Sequence, residues 1–263
     1  NDYEGDFTWS ANLNLGTSKN EVLSIGSLNQ VQGGFFENEF LTRIAPGESL
    51  FHFYGLRTDG IYQNQAEIDE VLTANPNQVA VQPGDIRFVD INGDGDITAA
   101  DKTVIGNPYP TLTMGLNLGA QYRNFDISLF IQGAYGQDIY NTNLYDLEGM
   151  PRLFNSGVAV LNRWTGEGTS TTIPRALGAP SNLYASDRFI EDGSYTRLKN
   201  LMIGYTFDDG IFNDSLSNLR IYVSGQNLIT LTDYSGLDPE IGVDNVLFQG
   251  TGAIGIDRGL YPQ

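Results

Sequence analysis

The run Asp90-Ile91-Asn92-Gly93-Asp94-Gly95-Asp96-Ile97-Thr98-Ala99-Ala100-Asp101 sets oxygen-bearing side chains at alternate positions around two glycines. A twelve-residue calcium loop takes side-chain oxygens from positions 1, 3 and 5 and turns sharply on a glycine at 6. It adds a backbone carbonyl at 7, reaches the ion through water at 9, and closes with a carboxylate at 12. Asp90, Asn92 and Asp94 fill the first three positions, Gly95 the turn, and Asp96 would offer its carbonyl. Ile97 would pack inward and Thr98 would act through a water. Position 12 is Asp101 in place of the usual Glu; it is one methylene shorter, so coordination is weaker or the loop tighter. No entering helix is apparent. The bland alternative is an acidic turn that never fills. The expectation carried forward is a structural Ca²⁺ on Asp90, Asn92, Asp94, Asp96 and Asp101, without catalysis, because no reacting group lies beside it.

Other reactive constellations are thin. His52 is the only histidine, so any Ser-His-Asp or Cys-His arrangement would have to use it. It lies in an apolar strand and reads as a pore- or interface-facing ring. Among 32 acidic residues no spacing singles out a glycosidase pair. Asp187–Gly193 mixes charges before a strand and reads equally well as a solvated turn. No enzyme is expected. Cysteine is absent, which excludes disulfides and thiolate metal sites. A net charge of −18 and a pI near 4.1 argue against nucleic acid as a partner, since phosphate binding needs basic patches.

The elements that would position the acidic loop alternate with period 2. From Leu112 to Tyr122 the even positions are apolar and the odd ones are Thr, Gly, Asn or Gln. Arg123-Asn124 follows, and Phe125, Ile127, Leu129 and Ile131 continue the apolar set on odd positions. In a two-residue hairpin the residues flanking the turn are partners and share a face. Tyr122 should then face Phe125, Ala120 face Ile127, Leu118 face Leu129 and Leu116 face Ile131. Asn124 suits the positive φ of such a turn better than Arg123, and Phe130 is the one misfit on the polar face.

Each arm is long for a soluble strand, which averages about 5–6 residues, and suits a membrane strand of about 9–11. Tyr109, Tyr122, Phe125 and Tyr135 lie where an interfacial aromatic girdle would sit. A membrane barrel and a two-sheet sandwich both remain open from the pattern alone. Phe7–Leu15, Leu50–Leu56, Tyr195–Phe207 and Leu219–Gln226 read as further strands, and Ala66–Leu72 as a short helix ended by Asn75-Pro76-Asn77. Gly33-Gly34-Phe35-Phe36 reads as a loop or turn, 141–194 as a long loop with no clear core, and 237–263 as lacking a confident strand. The class is all-β.

Several segments together resemble the C-terminal half of a SusC/RagA-type TonB-dependent outer-membrane transporter. They are Asp85-Ile86-Arg87-Phe88-Val89-Asp90-Ile91-Asn92-Gly93-Asp94-Gly95, Val104-Ile105-Gly106-Asn107-Pro108-Tyr109-Pro110, Phe125-Asp126-Ile127-Ser128 with Phe130-Ile131-Gln132-Gly133, and Asp138-Ile139-Tyr140-Asn141. Asn162-Arg163-Trp164-Thr165 and Ile173-Pro174-Arg175 follow. The strongest run is Ser186-Asp187-Arg188-Phe189-Ile190-Glu191-Asp192-Gly193-Ser194-Tyr195-Thr196-Arg197-Leu198-Lys199-Asn200 with Gly204-Tyr205. Val223-Ser224-Gly225-Gln226-Asn227-Leu228 and Tyr234-Ser235-Gly236-Leu237-Asp238-Pro239-Glu240 complete the set.

The resemblance implies an antiparallel transmembrane β-barrel of about 22 strands, of which residues 1–263 are a partial wall with an extracellular loop at 141–194. It implies a plug and a TonB-contacting segment, neither expected within this stretch, and a SusD-type surface lipoprotein that closes over the barrel. It also implies import of oligosaccharides or peptides across the bacterial outer membrane, with lipid against the wall. About eight strand candidates cannot close such a barrel, so this stretch alone is expected not to transport. The alternative kept open is a secreted, calcium-stabilised β-sandwich that binds carbohydrate.

Overall fold

The computed structural model of the protein describes residues 6–74, 81–153, 155–207, 219–241, 243–244 and 253–259. The expected helix stop at Asn75-Pro76-Asn77 falls outside these residues. In chain order the strands are β1 (Phe7–Thr17), β2 (Val31–Phe36), β3 (Glu39–Ile44), β4 (His52–Gly55), β5 (Thr58–Ile61), β6 (Ile86–Phe88), β7 (Thr103–Gly106) and β8 (Leu112–Tyr122). They continue with β9 (Phe125–Tyr135), β10 (Asp138–Asn141), β11 (Ile190–Asp192), β12 (Tyr195–Phe207), β13 (Leu219–Thr232), β14 (Val243–Asp244), β15 (Ala253–Ile254) and β16 (Ile256–Asp257). Two helices, α1 (Gln65–Ala74) and α2 (Asn143–Leu147), and four short 3-10 turns complete the described elements. No described helix is long and apolar enough to cross a membrane, which says nothing of a crossing by strands.

Period 2 decides the first unit. Asn1–Lys19, Pro110–Gln137 and Gly193–Asp233 form one antiparallel sheet in the order β1-β8-β9-β12-β13. The expected hairpin register holds: Tyr122 pairs with Phe125, Ala120 with Ile127, Leu118 with Leu129 and Leu116 with Ile131. The turn differs in one respect. Arg123, rather than Asn124, takes the left-handed conformation, with φ +53. Its backbone N–H donates to the Asp6 carbonyl and its Nε to the Asp6 carboxylate, so contacts from β1's side hold a residue that the turn's intrinsic preference would not choose.

Matching parity across all five strands sorts the side chains onto two faces. One carries Trp9, Leu13, Leu118, Leu129, Ile203, Val223 and Ile229. It stays open: Trp9 is 71% exposed and Val223 75%. Leu112, Leu116 and Leu129 are half-buried by their strand neighbours alone. A sandwich would cover this face with a second sheet, and among the described residues none does, so the sandwich alternative fails. A row of aromatics, Phe7, Tyr122, Phe125 and Tyr205, runs across four strands at the turn end, with Phe125 and Tyr205 edge to face at 4.6 Å. This is the interfacial belt of a membrane wall. The described strands form a partial wall, not a closed barrel.

The second unit comprises Asn20–Tyr109, Asp138–Asp192 and Tyr234–Gln263. It contains a sheet β2-β3-β4-β7, a sheet β11-β10-β16 in which β16 runs parallel to β10, and the pairs β5-β6 and β14-β15. Its core is Leu41, Phe53, Tyr140, Ala185, Phe189 and Ile256. Three sequence expectations are corrected here. Gly33-Gly34-Phe35-Phe36 lies in strand β2, because Phe35 finds Phe40 across the ladder with ring centroids 5.1 Å apart. The 141–194 segment has a core after all, with Ala185 and Phe189 fully buried. The 237–263 stretch supplies the short strand β16, and Ile256 is in that core. Gly55 is required where Leu56 bridges Ser186: a Cβ there would lie 2.5 Å from the Ala185 carbonyl oxygen.

Candidate functional site

The second face of the wall is polar; its middle rows are uncharged, and Asp126, Arg220 and Arg197 lie toward its ends. Register aligns Ser10, Gly119, Ser128, Met202 and Ser224 in one row, and Asn12, Asn117, Phe130, Asn200 and Gln226 in the next. A shallow groove of about 490 Å³ runs along these rows. A bulge at Lys199 keeps β12 in phase: Leu198 pairs with Ile131 and Asn200 with Phe130, so the apolar parity moves from even to odd positions without exchanging faces. Phe130, the misfit in the sequence, is tolerated because its ring lies over Gly115, where a Cβ would meet it at 3.5 Å. Hydroxyls and amides on this face present both donors and acceptors.

The Asp90–Asp101 loop folds on its own amides. Asp90 accepts from Gly93 and Gly95 at 2.7 Å each. Asn92 Oδ1 accepts from Asp94, and Asp94 Oδ1 from Asp96, both at 2.8 Å. Gly95 takes φ +88, the sharp turn its position demanded. Ile97 lines a small cavity together with Tyr62, Ile86 and Phe88. Asp101 is fully buried and accepts from Ile91 at 3.0 Å, Asn92 at 3.3 Å and Thr98 at 2.8 Å, while Thr98 caps the short turn that follows. Burial pushes the Asp101 carboxyl up, but the three amides together outweigh it, and its pKa lies below the usual carboxylate value. Among the described residues no three His, Cys, Asp or Glu side chains are arranged to hold a metal. Asp90, Asn92 and Asp94 remain at the surface with lone pairs to spare, whereas both oxygens of Asp101 are taken by amides.

Among the described residues, the most densely bonded carboxylate is one that spacing did not reveal. Asp85, fully buried, receives Arg175 through Nε at 2.9 Å and Nη2 at 3.2 Å. It also accepts from Gln82, Ala179 and the Asn182 amide group at 2.8–3.0 Å. Asn182 in turn accepts from Ile86 N–H at 2.7 Å. These bonds pin 175–182 against 82–86. Asp85 and Arg175 both lie in runs that carried the resemblance, but 90 residues apart, and only their opposite charges hinted at a pairing.

The Asp187–Gly193 run is likewise not a solvated turn. Asp187 accepts from Thr58, Phe189 is in the core, and Glu191 accepts from Asn141 and Ser235. His52 is buried, neither pore- nor interface-facing. Its Nδ1 lies 2.8 Å from the Ser49 carbonyl. Its Nε2 is 2.8 Å from Glu48, a distance for charge pairing, though the angle is not that of a hydrogen bond.

No family model matches the chain. Among curated proteins it is similar to TonB-dependent receptor P3 of Formosa agariphila, 36% identical over 263 residues covering 98% of this chain and 26% of that protein. TonB-dependent receptor P26 of the same organism is 32% identical over 269 residues, 98% and 26% respectively. TonB-dependent receptor SusC of Bacteroides thetaiotaomicron is 27% identical over 262 residues, 98% and 23%. The chain thus spans about a quarter of the length of the curated relatives it matches. Among solved structures, the RagAB peptide importer in its open-open state superposes with a TM-score of 0.71 at 22% identity, covering 98% of this chain and 25% of that one. The RagAB peptide transporter gives 0.69 at 23%, covering 89% and 25%. These two likenesses establish the fold. The relatives are transport receptors and not enzymes. With its open apolar face, aromatic belt and relatives of one kind along nearly its whole length, the chain is a portion of a SusC/RagA-type TonB-dependent receptor of the bacterial outer membrane.

Proposed function

We propose that this portion serves a TonB-driven importer of oligosaccharides or peptides, with the polar wall face lining the path. The observation that carries this is the run of neutral polar side chains Asn12, Asn117, Ser128, Asn200 and Gln226 in the middle rows of one face, opposite a bare apolar one. Uncharged hydroxyls and amides can exchange hydrogen bonds with sugars or peptide groups without trapping either. In the full-length receptor, Ser128→Trp should cut uptake while the barrel still assembles; normal uptake would overturn the assignment.

The second unit lies at the cell surface and meets a SusD-type lipoprotein lid. Support comes from Leu153, Val158 and Leu161, exposed by 92%, 82% and 75%, on a segment where no described residue covers them. Cysteine at Ser156 should react with an impermeant maleimide on intact cells, and Val158→Asp with Leu161→Asp should weaken co-purification of the lipoprotein. The Asp90–Asp101 loop takes Ca²⁺ as a structural ion. Donor spacing and the Gly95 turn support this, with Asp90, Asn92, Asp94 and the Asp96 carbonyl as the available ligands. Calcium should raise the loop's melting temperature, an effect that Asp94→Ala removes; chelation without effect would remove the proposal.

A further inference from the structure

Within the second unit one buried cation is incompletely answered. The Arg188 side chain is 8% exposed. One of its N–H groups donates to the Thr172 carbonyl. Nη2 reaches Glu148 at 3.3 Å, longer than the roughly 2.7–2.9 Å of a charge-assisted bond. Nε is buried and, among the described residues, has no hydrogen-bond partner.

Two other arginines show what this edge of a guanidinium does when satisfied. Arg175 presents Nε and Nη2 to Asp85 at 2.9 and 3.2 Å. Arg220 presents the same two atoms to Asp126 at 3.1 and 2.6 Å. Arg188 offers this edge with one long contact and one orphan. Burial draws its pKa below the ordinary value, and Glu148 restores it only in part. Glu148 is itself 26% exposed, so it holds the cation weakly.

Arg188 lines a pocket of about 330 Å³ with Thr58, Gly60, Ile86, Glu148, Thr172 and Ile173, and Glu148 must swing aside for another acid to enter. Thr58 is fixed by its hydrogen bonds to Asp187, at 2.9 Å from N–H and 2.7 Å from the hydroxyl. Two isoleucines give an apolar surface beside the charge. A planar carboxylate matches the Nε–Nη2 fork, which a sugar hydroxyl or a neutral amide cannot match with charge.

The geometry points to a binding site for a carboxylate-bearing group, its oxygens on Nε and Nη2 of Arg188 in place of Glu148 and its apolar part against Ile86 and Ile173. The inference stands on this pocket and not on the importer reading. An acidic sugar and the free C-terminus of a peptide share the required chemistry. The test is calorimetric titration of the purified full-length receptor with galacturonate and a free-acid tripeptide, each beside its neutral partner, galactose and the C-terminal amide.

At least one acid should bind, and its neutral partner tenfold more weakly or less; the acid that binds names the source. Arg188→Gln should weaken binding at least tenfold, with Arg188→Lys between. Should Arg188→Gln fail to fold, Ile173→Trp decides, because it fills the pocket and leaves the guanidinium in place; it should abolish binding. Failure of both acids to bind, equal binding of acid and neutral ligand, or unchanged affinity in Ile173→Trp would overturn the site.

Discussion

The wall and the second unit are both built from strands, yet they place polar and apolar groups by opposite rules. In the wall, partners are set by the ladder itself, apolar side chains are left open, and polar ones line a groove. In the second unit, a core of apolar side chains is enclosed and the decisive polar groups are buried, as with Asp85, Asp101 and Asn182. A wall can leave its apolar face open because lipid covers it. A unit folded around its own core must enclose its apolar groups, and a backbone with few regular ladders needs side-chain carboxylates and amides to satisfy its N–H groups.

That difference can be broken at several points. The largest effect is expected at Asp85→Ala, which strands Arg175 and three donors and should cost about 3–5 kcal/mol. Hydrogen exchange should rise in 82–86 and 175–182 and stay unchanged in β8 and β9; a wall that loosens equally would show that the two units are not independent. Next is Leu129→Arg on the lipid face, expected to cost about 2–4 kcal/mol in urea unfolding of the barrel. Ser128→Arg, one residue away on the other face, should leave assembly intact, and equal damage from both would erase the distinction between the faces.

Asp101→Asn should cost about 1.5–3 kcal/mol locally, since a carboxamide cannot accept from three amides as a carboxylate does. Because folding lowers this carboxyl's pKa, its contribution is complete above the unfolded value of about 3.9 and is lost as pH falls through the folded one. The loop should therefore open only below about pH 4, and the Asn variant should lack that step. The smallest effect belongs to the exposed Arg123–Asp6 pair, where Arg123→Ala should cost about 0–1 kcal/mol in the wall.

How much was legible follows the same division. The register of β8 with β9 could be read from Leu116, Leu118, Ala120 and Tyr122, because the ladder relates near neighbours in sequence. The role of Asp85 could not, since all its partners but Gln82 lie 90–97 residues away. Asp187, Arg188 and Glu191 looked like a charged surface because charge alone does not show that Phe189, between them, is buried. The calcium spacing was visible, but spacing could not show that Asp101 would turn toward amides.

Thr17, Leu112, Tyr135, Tyr195 and Thr232 sit side by side at one end of the wall, and every residue of the second unit is inserted between or after them. Material can therefore be added, shortened or exchanged at that rim without moving a rung of the membrane ladder. A lineage could revise the one unit while inheriting the other untouched.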